Sequence, residues 1–177
     1  MIWRVERLGS DKLSLAMNYI IDGHNLIGKV PGLSLSMPDD EQRLVELLVR
    51  FSRHGRQRVE VYFDGAPPGQ AGERSFGRVK AHFVLHSSTA DQAIRTRLGM
   101  LGRASRNWAV VTSDRGVQAA AHAAHAQVIA SEDFARRLLA SLGAGSGDTA
   151  QPSDQPLSED EVREWLQVFK QRGKRGD

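Results

Sequence analysis

From Asn18 onward, short apolar runs alternate with longer amphipathic stretches. The run Asn18-Tyr-Ile-Ile-Asp22 stops at an Asp-Gly pair and predicts a buried strand ending in a turn. Residues 38–53 repeat apolar positions at Leu44, Leu47, Leu48 and Phe51, the one-sided spacing of a helix. Asp39, Asp40 and Glu41 lie near its start, where the helix dipole favours anions. Val59-Glu-Val-Tyr-Phe-Asp64 predicts a second strand, closed by Gly65 and Pro67-Pro68. The segment 65–78 (GAPPGQAGERSFGR) reads as a long mobile loop without regular structure. Beyond it follow a strand over 79–85, a helix over 89–101, a strand over 107–112 and an alanine-rich helix over 115–124. A short strand over 127–130 and a helix over 131–142, capped by Ser131, complete the series. Strands alternating with helices imply crossover units, hence an α/β fold with a mostly parallel sheet of about five strands covered on both faces.

The pattern lapses at both ends. Residues 1–16 are polar and aperiodic and read as an N-terminal extension, or as an upstream start ahead of Met17. The folded domain is expected over 17–142, followed by a Gly/Ser/Pro-rich flexible linker over 143–157. Residues 158–177 then begin with a capping box, Ser158-Glu-Asp-Glu161. Val162, Trp165, Leu166 and Phe169 form one apolar stripe, and the chain ends in a basic tail. A single helix of that length is marginal in water, so this one should pack on its own domain or on a partner protein.

Composition narrows the chemistry. No apolar run approaches the roughly 18 residues that span a bilayer, and the first residues have no continuous apolar segment of a secretory signal. Absence of cysteine excludes disulfides, thiolate zinc sites and a cysteine nucleophile, and agrees with a cytoplasmic protein. Net charge is only +3, yet 19 of the 24 basic residues are arginine. Its planar fork suits phosphate oxygens, so a polyanionic partner is compatible with this balance, as is an ordinary solvated surface.

The acidic residues carry the sharper signal. In open parallel sheets, functional groups gather beyond the carboxyl ends of the strands. Asp22 and Asp64 end the first two predicted strands, Asp91 opens the helix after the third, and Asp114 follows the fourth. Each alone has a local explanation, as a turn residue or a helix cap. Together they form a carboxylate cluster whose members repel unless a cation neutralises them. Oxygen ligands without cysteine indicate Mg²⁺ or Mn²⁺, and such ions activate water and stabilise charge on phosphate oxygens. Asn25, three residues past Asp22, and the hydroxyls of Thr112 and Ser113, beside Asp114, are suited to positioning water and phosphate, or equally to forming a turn and a cap.

Four segments share one further property. Ile20-Ile-Asp-Gly-His-Asn25-Leu, Val61-Tyr-Phe-Asp-Gly65, Ser88-Thr-Ala-Asp91 and Val110-Val-Thr-Ser-Asp-Arg115 resemble, in order and spacing, the YacP-like branch of the NYN domains, which are PIN-like ribonucleases. Residues 158–170 are similar to the acidic, Trp-containing C-terminal segment of that branch. The resemblance implies a PIN-like three-layer fold and metal-dependent endoribonuclease activity. It also implies metal-site positions at Asp22, Asn25, Asp91 and Asp114, with Asp64 as a further motif aspartate. One departure is Gln118, where several PIN-like enzymes carry an acidic residue.

The expected partner is RNA (mRNA, tRNA or rRNA), with the ribosome as a candidate platform, no membrane, and oligomeric state open. Arg74, Arg78 and Lys80, taken to lie beside the loop after the second strand, are candidate phosphate contacts, as are Arg95, Arg97 and Arg115. Phe76 is the best placed aromatic for base stacking. Arg50, Arg53, Arg56 and Arg58 should lie at the opposite edge of the sheet. His122 and His125 read as surface or packing residues rather than metal ligands. The rival to a nuclease is a non-catalytic RNA-binding module with a degenerate metal site. A metal-dependent phosphatase is weaker because no Asp-x-Asp follows the first strand. Neither a phosphate-binding P-loop nor a dinucleotide fingerprint is present.

Overall fold

The structure, a computed structural model, describes residues 17–144. The expected extension over 1–16, most of the linker and the C-terminal segment lie outside the described residues. Six strands form one sheet: β1 (Asn18–Asp22), β2 (Val59–Ala66), β3 (Gly72–Phe76), β4 (Val79–Leu85), β5 (Trp108–Val111) and β6 (Gln127–Ile129). The helices are α1 (Gly23–Ile27), α2 (Asp40–Gly55), α3 (Ala90–Leu101), α4 (Arg115–Ala123) and α5 (Ser131–Ala144). Strand order is β3-β4-β2-β1-β5-β6, parallel except where β3 runs antiparallel to β4.

Alternation along each strand builds two cores. Tyr19, Ile21, Val61, Phe63, Ala109 and Val111 point to a layer formed with α1, α2 and α5. Ile20, Tyr62 and Val110 point the other way, to α3 and α4 through Ile94, Leu98, Val117 and Ala121. Burial on both faces explains why the central strands read as continuous apolar runs. Each fully buried large side chain contributes about 1.5–3 kcal/mol, and Phe134, on α5, joins Tyr19 and Phe51 in one aromatic knot at ring separations of 5.2–5.6 Å.

The chain leaves β1 toward β2 and β4 on one side, then crosses back to β5 and β6 on the other. Strand order therefore reverses at β1, and the crevice beyond its carboxyl end is the expected ligand position in such sheets.

Two readings of the sequence are corrected. Residues 65–78 are not an irregular loop, because Gly72–Phe76 forms β3, an edge strand hairpinned onto β4 through Gly77 at φ 63°. Its side chains alternate, with half-buried Phe76 packed on the main core and Arg74 held 5.2 Å over the Phe83 ring on the same face. Phe76 is thus a packing residue. Turn-rich composition had masked a five-residue strand whose pairing partner supplies the stabilisation. The second correction concerns Ser131, which begins α5 but sends its hydroxyl to Asn25.

Candidate functional site

Four connections meet at the carboxyl edge around β1. Asp22, the last residue of β1, is also the N-cap of α1: the Asn25 N–H donates to its Oδ1 at 3.3 Å. Gly23 follows because the backbone passes against β2. A Cβ there would lie 2.4 Å from the Phe63 ring and 2.8 Å from the Tyr62 carbonyl oxygen. The pair read as a turn dipeptide is therefore a close helix–sheet approach.

Asp64 reaches this edge by a bulge. Register between β2 and β4 shifts after Phe63, with Gly65 at φ 76°, and Asp64 Oδ1 accepts the N–H of Ala90, at the start of α3. Asp91 sits in the first turn of α3 and accepts no hydrogen bond among the described residues. Asp114 caps α4, taking the Val117 N–H at 2.9 Å. The helix-cap explanation holds for Asp114, and Asp22 caps a helix too, whereas Asp64 bonds a residue far along the chain rather than its own turn. Asp22 engages both its oxygens, whereas Asp64 and Asp114 each use one.

Electrostatics distinguish this edge. Asp22 is 8% exposed, and burial pushes its carboxyl up from 3.8 to about 6, with Asp91 and Asp64 adding repulsion. Asp91 is raised as well, by partial burial and then by Asp114 and Asp64, against a lowering influence from Arg95. The field is thus shared by all four aspartates.

Asn25 does not aim its oxygen at solvent. Its Oδ1 accepts the Ser113 N–H at 2.9 Å and the Ser131 hydroxyl at 2.6 Å, tying α1, the β5–α4 connection and α5 together. The Ser113 hydroxyl donates to Glu132 at 2.6 Å and accepts the Ser131 N–H at 3.1 Å. Lys29 lies 2.8 Å from Glu132, and these two partners hold the exposed Glu132 carboxyl down to about 2.

Thr112, one of the two hydroxyls beside Asp114, works as a tie between loops. Its buried hydroxyl donates to Asp22 Oδ2 at 3.4 Å and accepts the Asp114 N–H at 3.1 Å, linking two of the aspartates. Gln118 donates to the Thr112 carbonyl oxygen at 3.0 Å, so the amide braces the same loop. Missed by sequence reasoning was Glu41 at the start of α2, buried and 3.1 Å from the His24 ring, which it holds above the usual histidine range. Only its burial marks this residue, and burial is invisible in sequence.

The basic candidates separate. Arg95 reaches over α4: a Cβ on Gly116 would lie 2.9 Å from its guanidinium and 3.1 Å from Asp114. Arg115 is exposed at the start of α4. Arg78 and Lys80 are not at the carboxylate edge. The β3–β4 turn carries them to the far side of the sheet, where Arg78 bonds the Arg56 carbonyl oxygen and Lys80 pairs with Glu73 at 2.7 Å. Arg97 points away too, gripping Glu60 with two bonds of 2.6–2.7 Å. His122 and His125 are exposed, as expected.

Oxygen donors throughout suit a hard divalent cation, and a buried carboxyl raised by its neighbours is a group that such a cation would relieve. Among the described residues, however, no three His, Asp or Glu side chains form a group that could hold an ion. No described helix is long and apolar enough to cross a membrane.

No curated protein sequence matches the chain. Among solved structures, the fold is similar to Rae1 (YacP) from Bacillus subtilis, with a TM-score of 0.62 and 22% identity over 89% of this chain and 85% of that one. A tryptophan-to-leucine mutant of the same Bacillus subtilis protein matches with a TM-score of 0.60 and 21% identity, covering 89% and 96% of the two chains. The family model for the YacP-like NYN domain matches residues 19–170. With that match over most of its length, and with this sheet order and aspartate edge, the chain belongs to the YacP-like NYN domain family and has its PIN-like fold.

Proposed function

We propose that this protein is a metal-dependent endoribonuclease that hydrolyses RNA phosphodiester bonds at the carboxyl edge of the sheet. The observation that carries the reading is Asp22, a carboxyl at the end of the central strand pushed up to about 6 by burial and by neighbouring aspartates. A purely structural carboxylate in such a place is normally paired, whereas perturbed groups in a crevice mark functional sites. Asp22 and Asp91 would hold Mg²⁺ or Mn²⁺, with Asp114 and Asp64 beside them. When bound, the ion supplies an activated water and stabilisation of charge on the phosphate.

The remaining groups act on position. Thr112 holds Asp22 and the Asp114 backbone in fixed relation. Asn25, Ser113 and Ser131 set the distance between the β1 and β5 loops. Arg95 and Arg115 would grip phosphates flanking the scissile bond. RNA is the partner this reading assigns, in the cytoplasm, with binding to the ribosome open to a cosedimentation test. A second reading, an RNA-binding module that does not cut, is favoured by Gln118 in its bracing role and by the dispersed carboxylates.

The test is cleavage of labelled single-stranded RNA by the full chain with Mn²⁺ or Mg²⁺ and with chelator. Asp22→Asn and Asp91→Asn should each slow cutting by about a hundredfold or more, as loss of a charge-stabilising group does. Cutting that ignores both substitutions and chelator would sink the metal site. Binding without cutting by the unmodified chain would establish the module.

A further inference from the structure

A groove of about 430 Å³ runs along α3 on the side away from α2. That is within the roughly 300–1,000 Å³ range of small-molecule sites. One wall is a stripe of α3, Gln92, Thr96 and Met100, at helical spacing. The other consists of side chains standing on three strands, aligned by register: Glu60 opposite Lys80, Tyr62 opposite His82, and Glu73 opposite His82. One end lies at Ser88 and Gln92, which flank Asp91 in the chain at the start of α3.

Its chemistry differs from that of the cluster. Glu60 is matched by Arg97 and by the Tyr62 hydroxyl at 3.1 Å, and Glu73 by Lys80. Two acids thus meet two bases, and burial lowers the His82 imidazole toward its neutral form. Among the described residues, no uncompensated cation remains along the wall to hold a phosphate. What the groove offers is the partly exposed His82 ring, stacked 4.4 Å from the buried Tyr62 ring, with the Gln92 amide, the Ser88 hydroxyl, and Met100, 75% exposed, at the far end. A flat, neutral, hydrogen-bonding ligand suits such walls, and an unstacked base of single-stranded RNA has those properties.

We infer that the groove between α3 and the β2–β4–β3 face is a base-binding subsite for a nucleotide next to the one whose phosphate lies at Asp91. This rests on the RNA reading of the aspartate edge. It adds that affinity and base preference come from a surface physically separate from the carboxylates.

Binding measured in chelator separates the two claims, because no turnover is needed. The probes are fluorescent single-stranded RNA homopolymers and an abasic strand of equal length, titrated into the full chain. Base-bearing RNA should bind about tenfold more tightly than the abasic strand, the scale of one stacked base. Thr96→Leu, at an exposed helix position, narrows the groove without adding a ring and should remove that advantage while leaving the salt dependence unchanged. Gln92→Ala, which cannot block the groove, should alter the order of preference among homopolymers. Thermal melts establish that both variants fold. Equal binding of abasic and base-bearing RNA by the unmodified chain, or unchanged preference in both variants, would overturn the subsite. Loss of cutting with intact base preference would instead strike the nuclease reading alone.

Discussion

Two buried carboxylates on neighbouring strands have opposite surroundings. Glu60, on β2, is 6% exposed and is held by a two-bond Arg97 fork and a tyrosine hydroxyl. Asp22, on β1, is 8% exposed and faces Asp91 and Asp64, with only the Asn25 N–H and the Thr112 hydroxyl, among the described residues, to offset the repulsion. Burial is nearly equal, so burial does not distinguish the two carboxylates. The sign of the neighbouring charge does. The Glu60 cluster is internally compensated, and Arg97 also lies 5.5 Å over the Trp108 ring. Around Asp22 the neighbouring carboxylates add repulsion instead.

The contrast is most strongly tested at Arg97. Replacing it by alanine leaves Glu60 buried without its cation and should cost about 3 kcal/mol, read by denaturant unfolding. Little change in the midpoint would mean that the two carboxylates are not so different after all.

Asp22→Asn should do the reverse. A carboxyl whose pKa rises from 3.8 unfolded to about 6 folded binds its proton more tightly in the native state. Its stabilising influence is therefore full below the lower value and lost as pH rises through the upper one. At neutral pH in chelator, the amide should stabilise the fold by ~2 kcal/mol, and the fall in stability between those two pH values should flatten. Mn²⁺ should raise the melting temperature of the unmodified chain more than that of the variant. An asparagine variant that is less stable than its parent at neutral pH would contradict the account of Asp22.

Ser131→Ala gives the smallest effect. It removes one bond to Asn25 and should cost about 1 kcal/mol of stability. The informative readout is cutting rate at saturating RNA, which should fall with little change in RNA affinity if Asn25 spaces the loops. A fall in affinity alone would place Asn25 in direct contact with substrate.

Much of the fold was legible because apolar periodicity is a local property. The runs at 18–22, 59–64 and 107–112 lie in strands of the structure to within a residue or two, and the helices over 38–53, 89–101 and 115–124 agree similarly. The edge strand β3 escaped because its sequence, GERSF, has one large apolar residue and depends on β4 for its pairing. Arg78 and Lys80 were misplaced for the same reason: without the hairpin, nothing reverses the chain between β2 and β4.

By itself, the sequence determined which connections carry an aspartate, since the ends of strands and the starts of helices are written in local pattern. It also determined that the polar groups at those positions are hard oxygen donors. Only the tertiary structure decided which of them is buried, and that Asn25 and Thr112 serve as ties between loops. It alone sent Arg97 to Glu60 rather than to the aspartates. Those outcomes depend on strand order and register, which bring together residues as far apart as Asn25 and Ser131. A pKa or a hydrogen bond depends on what surrounds a group in space, and the chain specifies that only once it has folded.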